Sequence, residues 1–411
     1  MPAGSNDLTD PRLDLGIAHL LEMARRVPPH QQAWLVADAA AHLGASVARI
    51  WLADHQQRSL IHLTHASPLD ALAIDGSAAG RAFAKGEVLD MPRDGFGRHV
   101  WVPLLDGADR VGVLEFELDT DELTDPLRLA LVHLATAATA ELISRGQYTD
   151  FFTIARRRQS MSLKAELQWQ AIPPTSFATP DVTVSGMLEP AYETGGDTFD
   201  YAHDQRGLSF AVLDAVGHDL QATMVSTLAL GAYRNRRRAG DDLVGMAGAM
   251  DEVIKEQLGR GSYATGQLAE LDTSSGVLRW LNAGHHLPLL IRGGRVIGAL
   301  ECRPRLPFGL GHLQPGRPTD IAEVQLQPND AVLLYTDGIV EARRIGGTDF
   351  GIERLEQFLE NAFAAGYSIP ETLRRLSNAV LDYHHGVLQD DATTLLVSWH
   401  PERYTGAQAT G

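Results

Sequence analysis

Four short acidic motifs, far apart in the chain, hold the residues best suited to chemistry. They are Gly195-Gly196-Asp197-Thr198-Phe199-Asp200, Asp214-Ala215-Val216-Gly217-His218, Thr336-Asp337-Gly338 and Gln389-Asp390-Asp391-Ala392-Thr393. Three of them adjoin apolar runs that read as buried strands: 208–213 before Asp214, 331–335 before Asp337, and 394–399 after Asp391. The first motif precedes a further strand. A carboxylate at the edge of a buried strand costs free energy unless something compensates it. A single such aspartate is commonly a turn former or a helix cap. Four together point to an oxygen-only cluster, the donor set that hard divalent cations require. The adjacent glycines let the backbone approach closely, so that a main-chain carbonyl can join as a ligand.

Other chemistry-bearing residues have plainer readings. His218 reads as a general acid near the metals or, more simply, as an anchor for its own loop. His285 and His286 follow Asn282-Ala283-Gly284 and read as turn residues before metal ligands. The basic run Arg234, Arg236, Arg237, Arg238 closes a helix, where cations offset the helix dipole. A phosphorylated partner is its alternative use. The single cysteine, Cys302, excludes an intrachain disulfide framework and a multi-cysteine zinc site, and suits a reducing cytosol.

The elements that must position these residues follow from periodicity. Residues 13–26 and 31–43 predict helices, and 47–52, 59–64, 99–105 and 111–118 predict strands. Asp106-Gly107 with Asp109 supplies a hairpin turn. Residues 77–85 predict a short helix. Residues 126–144 predict a long one, with Asp125 as its cap and proline in its first turn. The apolar stretch 127–143 carries Arg128, His133 and Glu141, which suits an amphipathic helix and not a membrane span. Residues 145–170 have helical character and read as a tether or a signalling helix. Beyond residue 180 strands and helices alternate as in a mixed α/β domain. Strands are expected at 182–188, 208–213, 265–272, 277–282, 287–291 and 330–335. Helices are expected at 220–234, 241–258, 352–364 and 370–381. A length of 411 residues predicts two or three domains. A net charge of −17 disfavours nucleic acid and anionic membrane surfaces as partners.

Two family resemblances follow. In the N-terminal third, "SAAGRAFAKGEVL" (77–89) and "VWVPLLDGADRVGVLEFE" (100–117) resemble a GAF domain, a small-ligand sensor. The remainder resembles the PPM-type metal-dependent phosphatases, in the branch similar to stage II sporulation protein E. The matching segments run in family order. They are "LQWQAIPP" (167–174), "EPAYETGGDTFDY" (189–201), "FAVLDAVGHDLQATMVSTLA" (210–229) and "LNAGHHLPLL" (281–290). Then come "PFGLG" (307–311), "VLLYTDGIVEAR" (332–343), "FGIERL" (350–355) and "DDATTLLV" (390–397).

The resemblance implies an α+β fold: a C-terminal β-sandwich of two antiparallel sheets flanked by helices, plus a GAF-like α/β domain joined by a helical linker. The implied division is a disordered tail 1–11, a GAF-like sensor 12–145, a linker 146–164, a phosphatase domain 165–400 and a tail 401–411. It also implies a ligand set for two divalent cations, Mn2+ or Mg2+. Asp214 would bridge them, Asp337 and Asp390 would complete one, and Asp197 with the Ala215 carbonyl would serve the other. Asp391 is set aside as a neighbour of Asp390, and Asp200 as structural.

The implied activity is that of a cytoplasmic protein serine/threonine phosphatase, with no phosphoenzyme. Its implied substrate is a phosphorylated anti-sigma-factor antagonist or a similar regulatory protein. The alternatives are a catalytically weak signalling scaffold or a phosphatase for small esters. The resemblance leaves room for a small ligand at the GAF-like domain and for a homodimer. One departure stands out. The family usually shows Asp-x-Ser-Gly-His-Gly, whereas this chain has Val216 for the serine and Asp219 for the last glycine.

Overall fold

The computed structural model describes residues 11–64, 71–93, 95–193, 195–259, 261–341, 349–384, 388 and 390–401. The tails 1–11 and 401–411 fall almost wholly outside them, as do Ala342 and Arg343 of the motif 332–343 and Gln389 of the last acidic motif. The chain divides into two compact units, Met1–Gln159 and Ser160–Gly411.

The first unit is built on a six-stranded antiparallel sheet. Its strand order is Ala71–Ala73, Ser59–His62, Ala45–Ala53, Asp109–Leu118, Arg98–Asp106, Leu89–Pro92. Alternation along the strands sends Ile50, Leu52, Val100, Leu114 and Phe116 to one face. There they meet Leu20, Leu35, Val36, Leu131 and Leu134 from the helices Pro11–Ala24, Gln32–Ala41 and Asp125–Gly146. The opposite face presents Trp51, Trp101 and Val113 to Ala79, Ala82 and Phe83 of the helix Ala78–Lys85. Ser77 caps that helix by accepting the Gly80 N–H at 2.9 Å, and Gly86 ends it at φ 68°.

The long helix departs from expectation at its start. Thr124 occupies the cap position without a side-chain bond, and Asp125 lies in the first turn with Pro126. There the Asp125 charge still favours the helix N-terminus. By length and composition this helix could cross a membrane, the one such helix among the described residues. Its inward stripe, Leu131, Leu134, Ala135, Ala138 and Leu142, is instead buried in the core of the unit. Within the stretch 145–170, the long helix ends at Gly146 and two separate short helices follow, Phe151–Ala155 in the first unit and Leu163–Ala171 in the second.

The second unit has four layers. A five-stranded antiparallel sheet runs Ala322–Gln325, Val277–Ala283, Ala264–Asp272, Gly207–Ala215, Asp197–Asp204. A six-stranded antiparallel sheet runs Arg295–Ala299, Leu289–Arg292, Ala331–Tyr335, Ala392–Trp399, Val182–Glu189, Ser176–Ala178. Phe199, Phe210, Val212 and Trp280 of the first sheet pack against Val184, Val332, Leu334, Leu395 and Val397 of the second. Ala211 and Leu213 point the other way, onto Val225, Ala229, Tyr233, Met246 and Met250 of the helices Leu220–Ala239 and Leu243–Leu258. Leu289, Leu333 and Leu396 likewise meet Leu355, Leu359, Leu373 and Leu376 of the helices Ile352–Ala364 and Ile369–Tyr383. This is the sandwich of two antiparallel sheets flanked by helices that the family resemblance implies. Asp197–Asp204 is itself a strand and does not merely precede one. The edge strands Ser176–Ala178, Arg295–Ala299 and Ala322–Gln325 were not legible in the sequence.

Candidate metal centre

The two sheets bring their acidic motifs to the same end. The strand Gly207–Ala215 runs out where its antiparallel neighbour begins, so Asp214 and Asp197 are register partners. In the other sheet, Ala331–Tyr335 delivers Thr336 and Asp337, and Asp390 and Asp391 lead into Ala392–Trp399 beside it, with Tyr335 opposite Thr394. The sheets are tied across this end by the Thr336 hydroxyl, which donates to Asp197 Oδ2 at 2.6 Å. Asp391 Oδ2 accepts the N–H groups of Gly195 at 2.7 Å and Gly196 at 2.5 Å. The Asp391 N–H in turn donates to Asp390 Oδ1 at 2.9 Å.

Two glycines permit this approach. A Cβ on Gly338 would lie 1.8 Å from the Asp391 carbonyl oxygen. One on Gly196 would lie 2.8 Å from the carbonyl oxygens of both Ala215 and Gly217.

Charge is uncompensated here. Burial pushes Asp197 well above the ordinary carboxylate range, and the charges of Asp214 and Asp391 push it further, against the Thr336 and Thr393 donors. Asp214 is pushed up to about 7 by burial and then by Asp337 and Asp390, with the Thr265 hydroxyl opposing. Asp390 is raised by burial and by Asp337 and Asp391, the His218 charge opposing. No lysine or arginine is a principal influence on these three groups. A set of oxygen donors that disfavour one another as anions is chemically fitted to hard divalent cations. Among the described residues no three acidic or imidazole side chains form a ready-made cage for one ion. The aspartates are near enough to shift one another's protonation without forming that cage.

The supporting residues were invisible to sequence reasoning, because they act only once the chain is folded. Gln168, fully buried on Leu163–Ala171, donates to the Asp197 carbonyl and to Ser226 Oγ at 3.3 Å. Thr223 donates to the Gly195 carbonyl at 2.5 Å, and Lys164 to the His218 carbonyl at 2.7 Å. Thr265 donates to Asp214 Oδ2 at 3.4 Å and bonds His285 Nδ1 at 2.9 Å.

Other candidates fall elsewhere. Asp200 is buried between Arg234 and Arg237, each at 2.6 Å, and belongs to the packing of the Leu220–Ala239 helix. Arg236 pairs with Asp241 at 3.7 Å. Asp219 is the N-cap of the Leu220–Ala239 helix, accepting the Ala222 N–H at 3.0 Å. Val216 is exposed. The His285 ring is pushed down to about 3, by burial and then by the His286 charge. His286 stacks on Tyr335 with centroids 5.5 Å apart. Cys302 is buried and free.

Residues 204–400 match the model of the family described as Stage II sporulation protein E (SpoIIE). Among curated proteins, Protein IcfG of Synechocystis sp. is 25% identical over 146 residues, which are 36% of this chain and 22% of that protein. The chain thus spans under a quarter of that relative's length. Among solved structures, the RsbU and RsbW domains of Rv1364c from Mycobacterium tuberculosis align at 24% identity and TM-score 0.46, covering 56% of this chain and 63% of that one. The phosphatase domain and regulatory-domain fragment of SpoIIE from Bacillus subtilis aligns at 12% identity and TM-score 0.44, covering 97% of this chain and 99% of that one.

Proposed function

We propose that this chain, whose residues 204–400 carry a domain of the stage II sporulation protein E family, is a metal-dependent protein serine/threonine phosphatase. The observation that carries this reading is the meeting of Asp197 and Asp214 from one sheet with Asp337 and Asp390 from the other, at an end where Asp197 is buried, Asp214 and Asp337 are half-buried, and positive charge is scarce. Asp214 would bridge two cations, Mn2+ or Mg2+, Asp337 and Asp390 would complete one, and Asp197 and the Ala215 carbonyl would serve the other. Such a pair, when bound, supplies Lewis acidity toward phosphoryl oxygens and a water acidic enough to attack phosphorus.

The protein's own contribution is position. Thr336 and Thr265 orient Asp197 and Asp214, and the Asp391 carboxylate holds the Gly195–Gly196 backbone against the site. The buried thiol of Cys302 takes no part. The substrate class that the motifs favour is a phosphorylated regulatory protein of the anti-sigma-factor-antagonist type, in the cytoplasm. The first unit would act as a GAF-like regulatory domain, open to a small ligand and to pairing in a homodimer.

The test is hydrolysis of a phosphoserine protein with manganese present. Asp214→Asn and Asp337→Asn should each lower kcat by at least about a thousandfold while the fold survives. Unchanged turnover would remove the cluster from the chemistry. The altered segment at Val216 and Asp219 favours one second reading, a weakly catalytic scaffold. That reading predicts manganese binding with no turnover in the unmodified chain.

A further inference from the structure

The turn that follows the strand Val277–Ala283 leads directly to Leu289–Arg292, so it carries the chain from the five-stranded sheet to the six-stranded one. It does so at the end where the aspartates meet. Asn282 locks the turn: its Oδ1 accepts the His285 N–H at 2.7 Å, and its Nδ2 donates to the His285 carbonyl at 2.8 Å. Two imidazoles leave this turn. His285 bonds Thr265 Oγ1 at 2.9 Å, and Thr265 is the register partner of Asp214. His286 stacks on Tyr335, two residues before Asp337.

We propose that His285, acting through Thr265, is a positioning residue for the Asp214 carboxylate, and that the His285–His286 turn sets how the Asp214 half of the ligand set stands to the Asp337 half. The inference rests on the metal-centre reading above. Its physical basis is a hydroxyl held on two sides. Thr265 Oγ1 lies between His285 Nδ1 at 2.9 Å and Asp214 Oδ2 at 3.4 Å. A hydroxyl has one proton to give; given to Asp214, it leaves an oxygen lone pair to accept the His285 Nδ1–H, so the arrangement requires the tautomer that carries its hydrogen on Nδ1. The ring itself cannot drift. It is buried, stays neutral, and packs edge-on against His286 with centroids 6.0 Å apart. The ring also reaches the backbone of Tyr335, two residues before Asp337.

The experiment measures manganese affinity by titration calorimetry, with thermal midpoint as the control for folding, on the full chain. Thr265→Val and His285→Ala should each weaken manganese binding about tenfold with little change in midpoint, and the double variant should be no weaker than either alone. His285→Asn keeps a polar atom near the Nδ1 position and should recover most of the affinity. Thr265→Ser, which keeps the hydroxyl, should match the unmodified chain. Unchanged affinity in folded Thr265→Val, or additive losses in the double variant, would overturn the proposal. Asp214→Asn separates the two readings: if it retains full manganese affinity, the metal-centre reading fails, whatever His285 does.

Discussion

The Thr336 hydroxyl donates to Asp197 Oδ2 at 2.6 Å and receives the Thr393 N–H at 2.9 Å, so one side chain links three segments and both sheets. All three groups are buried. Thr336→Val keeps the shape and removes both roles. It leaves the buried Asp197 carboxylate short of a donor and the Thr393 N–H without an acceptor, each costing about 1–3 kcal/mol. The urea midpoint of the metal-free protein should fall accordingly. Serine at the same position should restore it, and an unchanged midpoint for valine would show that the bond carries no stability.

Asp390 and Asp391 are adjacent in sequence but have opposite duties. Asp391 is held by backbone donors of Gly195 and Gly196 and is 7% exposed, whereas Asp390 is exposed and faces the charges of Asp337 and His218. Asp391→Ala should therefore unfold at lower urea, by about 2–4 kcal/mol, because two buried N–H groups lose their acceptor. Asp390→Asn should leave stability unchanged or raised, since it removes a like charge, while manganese-dependent turnover drops at least about a hundredfold. The opposite assignment of losses would reverse the two roles.

The strands with continuous apolar runs, such as Gly207–Ala215 and Ala331–Tyr335, were legible because both faces are covered, and so were the aspartates that end them. Asp197–Asp204 was not legible as a strand. Its Asp200 is a charge at a buried position, and only the arginines of a helix 34 and 37 residues later explain why it is tolerated. The edge strand Arg295–Ala299 alternates exposed and half-buried residues and carries little apolar signal. The roles of Thr336, Gln168 and Thr265 could not be read even where a motif contained them, since a polar residue announces no partner 139, 29 or 51 positions away.

Asp219, the residue that departs from the glycine usual at its position, has a structural account as the N-cap of the Leu220–Ala239 helix. Asp219→Ala should cost about 1 kcal/mol in stability. Asp219→Gly, which restores the usual pattern, should cost only a few tenths. If the aspartate serves only as a cap, both variants keep the turnover of the unmodified chain. A rise in kcat with glycine would instead mean that the extra charge restrains the site.

The raised carboxylates make stability depend on pH, with a definite sign. Asp214 stands at about 7 in the folded chain against an ordinary 3.8, and Asp197 is shifted the same way. Between those values the folded state binds more protons than the unfolded one, so stability falls as pH rises. The stabilisation is complete below about pH 4 as far as these groups are concerned, and is lost as pH climbs through 7. For Asp214 alone the change is on the order of 2–4 kcal/mol, reduced by its sharing of protons with its neighbours. Urea unfolding in chelator should therefore show a lower midpoint at pH 8 than at pH 5.5, and Asp214→Asn should flatten that slope. Manganese should flatten it too, since a bound cation takes the place of the protons, and calorimetry at pH 6 in buffers of different ionisation heat should register their release. A metal-free protein whose stability rises from pH 5.5 to 8 would mean that these carboxylates are ionised and compensated by charges other than those surrounding them here.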